Sequence, residues 1–60
     1  MGLDLMASEL SMFIFENDMI SARSLYELVY NYVLDKWGDK ISPDNRGYVI
    51  DRAYEIYYKI

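Results

Sequence analysis

The sequence predicts an all-α protein, a small three-helix bundle with helices at about residues 4–16, 24–37 and 43–59. Three observations support this prediction: apolar residues recur every three or four positions in each segment, helix start and stop residues bound the segments, and polar stretches separate them. The 60 residues are expected to form a single domain, 1–60, close to the size at which one core is only marginally sufficient. Because the chain has no cysteine, stability must come from packing or from association.

The first segment, residues 4–16, has an apolar and a polar side. Asp4 is the predicted N-cap. The run Met12 to Phe15 could instead be a short buried strand, since periodicity alone cannot assign four apolar residues, but no hairpin turn with a partner strand follows. The predicted inner face consists of Leu3, Met6, Leu10, Phe13 and Ile14, and the predicted outer face of Asp4, Ser8 and Ser11.

The second segment, residues 24–37, has the strongest helix signals. Ser24 and Glu27 form a capping-box pattern, with Ser21 as the alternative cap, and Gly38 is expected to close the helix in a left-handed conformation. The apolar arc covers well over half the circumference, which predicts burial from more than one side. The inner face is predicted to be Leu25, Leu28, Val29, Tyr32 and Val33, and the polar stripe Glu27, Asn31 and Asp35.

The third segment, residues 43–59, begins with Ser42 as N-cap and Pro43 at the first helical position. The sequence EIYYKI near its end is rich in strand-forming residues, so a strand there is the alternative. Glu55 and Lys59 have the spacing of a helical ion pair. The inner face is predicted to be Val49, Ile50, Ala53, Ile56, Tyr57 and Ile60.

The charge distribution restricts the partners. The net charge is −4, and residues 1–36 carry all of it, with six acidic and two basic side chains. An acidic first half repels phosphate and permits a basic partner.

No apolar run approaches the roughly 20 residues that span a bilayer, and the start lacks the basic region of a secretory signal, so we expect a cytoplasmic protein without membrane contact.

The residue types argue against catalysis and against a metal or cofactor site. The chain has no histidine and no cysteine, which removes the commonest bases, nucleophiles and zinc ligands. Asp39, Asp44 and Asn45 near Gly47 lack the spacing of a calcium-binding loop and are expected to serve turns and caps. We therefore predict no enzyme activity, no cofactor and no metal.

The seven tyrosines and the single tryptophan give the main functional signal. Large residues could simply fill a small core, but two helices carry more apolar surface than a three-helix bundle hides, and Tyr and Trp are enriched at the centres of interfaces. The sequence thus predicts a protein-interaction module of the small acidic inhibitor, antitoxin or adaptor type, associating as a homodimer. The candidate interface residues are Met12, Phe15, Tyr26, Tyr30, Leu34 and Trp37.

Two alternative functions have weaker support. A helix-turn-helix regulator would contact DNA with the third helix, through Arg46 and Arg52 among others, but acidic residues on that helix cancel its charge. An acidic nucleic-acid mimic would use the stripe of Glu27 and Asp35 to block a basic groove.

Overall fold

Three α-helices form most of the chain. The structure, a computed structural model, describes residues 2–60. Helix α1 spans Leu3–Glu16, α2 spans Ala22–Lys36 and α3 spans Pro43–Lys59, with a short 3-10 turn at Gly38–Lys40 before α3. Residues 2–60 contain no strand, so the predicted all-helical, three-helix fold is confirmed. Both segments that the sequence left open to a strand, at Met12 to Phe15 and near residue 58, are helical.

The start of α1 differs from the prediction. Gly2, not Asp4, is the N-cap, and no side chain caps the helix. Asp4 lies in the first turn, where a carboxylate is favourable beside the helix N-terminus, and its Oδ1 accepts a hydrogen bond from the Tyr48 hydroxyl at 2.9 Å. The predicted cap therefore ties α1 to α3.

The start of α2 lies two residues earlier than predicted, at Ala22. Ser21 is the N-cap, and its Oγ accepts a hydrogen bond from the Ser24 N–H at 3.3 Å. The capping box at Ser24 and Glu27 is therefore wrong, and the alternative cap is confirmed. An earlier start is favourable because neither Ala22 nor Arg23 disfavours a helix, so the two extra residues add backbone hydrogen bonds.

The predicted N-cap of α3 and the predicted left-handed glycine after α2 are both confirmed. Ser42 caps α3, with its Oγ accepting from the Asn45 N–H at 3.2 Å, and Pro43 occupies the first helical position. Gly38 follows α2 with a φ of +41°, a left-handed conformation that side chains with a Cβ disfavour. This residue redirects the chain so that the 3-10 turn leads into α3.

The core lies between the three helices, with α1 packed mainly against α3. Small residues allow that close approach, since Ala7, Ser11 and Ala53 are all buried. Ser11 was predicted to face solvent and is instead 2% exposed; its hydroxyl donates to the Ser8 carbonyl oxygen at 2.6 Å, which satisfies the buried polar group. The buried apolar residues are Met6, Ala7, Leu10, Ile14, Leu25, Val29, Val33, Trp37, Ile41, Val49, Ile50 and Ala53.

Two residues predicted to lie on inner faces and one predicted ion pair differ in the structure. Leu28 and Ile60 were assigned to inner faces and are both exposed, because they lie at the edge of the inner arc and at the chain end. Glu55 pairs with Arg52, with 3.3 Å between Oε2 and Nη1, and not with Lys59. Within residues 2–60, none of the helices combines the length and apolar character needed to cross a bilayer.

Candidate interaction surface

The six predicted interface residues differ in exposure: four are exposed, Leu34 is partly buried and Trp37 is buried. Met12, Phe15, Tyr26 and Tyr30 are exposed, each with about half of its surface accessible. Leu34 is partly buried.

Trp37, unlike the other candidate interface residues, belongs to the core. Its side chain is 5% exposed and lies edge-on to Tyr32, with 6.0 Å between the ring centroids. The physical reason is the end of α2: the helix stops at Lys36, and Trp37 at its C-cap lines a depression with Lys40 and Ile41 of the segment that follows. Little of this ring is accessible to a partner bound at the surface.

Four exposed aromatic residues and the partly buried Tyr54 line a series of adjoining depressions that crosses all three helices. Phe15 of α1 and Tyr58 of α3 line one depression, Tyr58 and Tyr54 line the next with Tyr26 of α2, and Tyr26 and Tyr30 line a third. The rings of Tyr54 and Tyr58 have centroids 6.1 Å apart. We call these five residues the aromatic belt.

The sequence identified only part of this belt. Tyr54 and Tyr58 were counted among the tyrosines but were not assigned to an interface. The signal was present, because the two residues are spaced by four on one helix. Their position opposite Tyr26 depends on how α2 packs beside α3, which periodicity within a single helix does not specify.

The central part of the belt is a groove between α2 and α3. We call it the α2–α3 groove; it has a volume of about 550 Å³ and lies open to solvent. Neither lysine nor arginine contributes to its lining. The lining residues are Ala22, Tyr26, Asp51, Tyr54, Glu55 and Tyr58.

Carboxylates border the belt. Asp51 makes no ion pair with any of the described residues, whereas Glu55 is paired through one oxygen with Arg52. Glu27 lines the adjacent depression with Tyr26. The groove therefore combines aromatic rings with negative charge.

The hydroxyl of Tyr54 stays neutral at physiological pH. Partial burial is the main reason that its pKa is raised above the usual value near 10, and the neighbouring hydroxyls, first that of Tyr58 and then that of Tyr26, add to the effect. A neutral ring presents a negative face without a full charge.

The opposite side of α2 is occupied by an internal contact with α1. Lys36 forms an ion pair with Glu9, donates to the Tyr32 hydroxyl at 3.3 Å and lies 5.8 Å from the centroid of the Trp37 ring. Phe13 stacks on Tyr32 with 4.2 Å between centroids. Hydrogen bonds, first to Glu9 and then to Tyr32, raise the pKa of Lys36, so its amine remains protonated.

The residues of the two alternative functions differ in how exposed they are. Glu27 and Asp35 of the predicted acidic stripe are both exposed on α2. Of the arginines proposed to contact DNA, Arg46 is partly buried and Arg52 is paired with Glu55.

The fold defines the protein as an all-α chain with three helices. Among residues 2–60, no group of three acidic side chains is arranged to hold a metal ion. Comparison of the chain with known protein families, curated proteins and solved structures finds no match.

Proposed function

We propose that this protein is a non-enzymatic interaction module, of the small acidic inhibitor, antitoxin or adaptor type, that acts by occupying a surface of a partner protein. The observation that supports the proposal is the aromatic belt. Its residues line adjoining depressions on all three helices, and only Tyr54 among the five also packs against the core. Contiguous exposed apolar surface with a polar rim is characteristic of protein-binding sites.

The energetics also favour an interface at the belt. Tyrosine buries a large area when it is covered and loses few rotamers, which makes it a frequent anchor in protein interfaces. Covering the belt would remove apolar surface from water at about 25 cal/mol per Å². The helices that carry the rings are fixed by the core, so little backbone ordering would oppose binding.

The proposal includes the homodimer that the sequence predicts. Two copies could pair in a two-fold contact through the Tyr30 end of their belts, which requires no other molecule and leaves the α2–α3 groove open to a partner protein. A dimer would have a mass of about 14 kDa, twice the 7.1 kDa of the chain. A foreign protein would give a complex of a different mass.

The test is site-specific photo-cross-linking in the native host. A photoreactive phenylalanine analogue placed at Tyr30 should give one discrete protein adduct, and its mass will distinguish a second copy from a foreign partner. Leu28 is the matched control position, because it lies on the same helix with the same exposed fraction of 41% but faces a different direction.

Two results would contradict the proposal. One is the absence of any discrete adduct from Tyr30 and from Tyr26 tested in the same way. The other is an identical adduct from the Leu28 position, which would mean that cross-linking does not depend on the belt.

A further inference from the structure

We infer that the α2–α3 groove binds a basic side chain, an arginine or lysine carried by an exposed segment of a partner protein. This inference rests on the proposed function, because it specifies the chemistry of the partner at the same aromatic belt. The evidence is the combination of rings and carboxylates in one groove, together with the lack of a basic residue in its lining.

The rings provide the first part of the recognition. Tyr26, Tyr54 and Tyr58 come from two helices and line the groove together. A cation within about 6 Å of a tyrosine ring is attracted to its negative face, and a planar guanidinium can also stack on the ring. The separation of 6.1 Å between the Tyr54 and Tyr58 centroids keeps both rings within reach of one cation in the groove.

The carboxylates provide the second part. Asp51 and Glu55 lie one helical turn apart on α3, on the same side as Tyr54 and Tyr58. Asp51 makes no ion pair among the described residues, and Glu55 has one oxygen bonded to Arg52 and one remaining. Glu27 adds a third negative charge beside Tyr26. A bound cation would thus contact rings and carboxylates at once.

The same charges disfavour the other occupants of this groove. If two copies of the chain packed groove to groove, Asp51 and Glu55 of one copy would approach the same residues of the other, and like charges at an interface are unfavourable. A nucleic acid would bring phosphates toward the same carboxylates. A basic protein segment is the occupant whose charge complements the groove.

The test uses nuclear magnetic resonance titration of the full chain with two short peptides. One peptide carries an arginine flanked by glycine and serine, and the other replaces it by citrulline, which has a similar shape and no charge. We expect the arginine peptide to shift the amide signals of Tyr26, Tyr54 and Tyr58, and the citrulline peptide to leave them unchanged.

Variants separate the groove from the overall charge of the protein. Asp51→Asn with Glu55→Gln should weaken arginine binding about threefold to tenfold, as expected for the loss of two partly solvated ion pairs. Asp35→Asn with Asp39→Asn is the matched control: both residues are exposed, neither lines the groove, and the change in net charge is the same. The control pair should bind like the parent chain.

Several outcomes would overturn the inference. These are equal binding of the two peptides, equal weakening by both pairs of substitutions, or signal shifts confined to residues outside the groove. A 14 kDa adduct from Tyr26 that becomes stronger in the Asp51→Asn, Glu55→Gln variant would identify a second copy as the occupant. If a foreign protein is cross-linked at the belt but the arginine peptide shifts no signals, the basic partner is refuted and the proposed function stands. If no adduct forms at all, the proposed function itself is refuted.

Discussion

Replacement of Leu10 by alanine, compared with the same replacement at Leu5, tests the orientation of α1. Leu10 is fully buried between the helices, and Leu5 is 66% exposed on the same helix. A buried Leu→Ala change destabilises by about 3 kcal/mol or more, because it removes apolar contacts and leaves a cavity. A 60-residue domain has a total free energy of unfolding of only about 3 to 9 kcal/mol.

The expected losses of stability for Leu10→Ala and Leu5→Ala therefore differ widely. Leu10→Ala should lower Tm by at least about 12 °C or abolish cooperative unfolding, while Leu5→Ala should change the free energy of unfolding by about 0.5 kcal/mol or less. Thermal unfolding followed by circular dichroism measures both. Leu10→Met, which nearly conserves volume, should keep most of the stability and gives a folded reference. Similar losses from the two alanine variants would refute the assignment of the inner face.

Three further predictions concern individual residues. Ser21→Ala should destabilise the protein by about 1 kcal/mol in urea unfolding, because Ser21 is the N-cap, and Ser24→Ala should destabilise it by clearly less. A larger loss from Ser24→Ala would show that Ser24 is the cap. Gly38→Ala should cost about 1 kcal/mol, since its φ of +41° disfavours a Cβ, and an unchanged urea midpoint would contradict this. Tyr48 donates a hydrogen bond to Asp4 and Tyr57 donates one to Asp18, and these bonds raise the pKa values of both tyrosines above the usual 10. The stabilising effect of the two hydrogen bonds is therefore complete below about pH 10, and it is lost as the pH rises through the folded-state pKa values. Replacing both tyrosines by phenylalanine should reduce the alkaline loss of stability in urea unfolding at a series of pH values, and an unchanged pH dependence would refute the link.

Much of the fold could be predicted because the signals are local. Spacing of apolar residues assigned all three helices, and the caps at Ser42 and Gly38 were read directly from residue type. Two serines three residues apart produced the wrong start of α2, since Ser21 and Ser24 are chemically the same cap and only the folded chain selects one of them.

The candidate surface was harder to predict because it depends on relations between helices. Trp37 belongs to the apolar arc of the second segment, and only the chain reversal after it places the ring in the core. Tyr54 and Tyr58 became part of the belt because α2 lies beside them. Residue type indicated which side chains could bind a partner, while packing determined which of them remain accessible.

The burial of Trp37 has a practical consequence for fluorescence measurements on this protein. It is the one tryptophan in the chain, so tryptophan fluorescence comes from a single known position. Its ring lies beside Tyr32 and close to the amine of Lys36, where α1 and α2 meet. Its emission should therefore shift to longer wavelength when these two helices separate, and should change little when a partner covers the aromatic belt. Tryptophan emission thus gives a label-free signal for unfolding that is independent of binding.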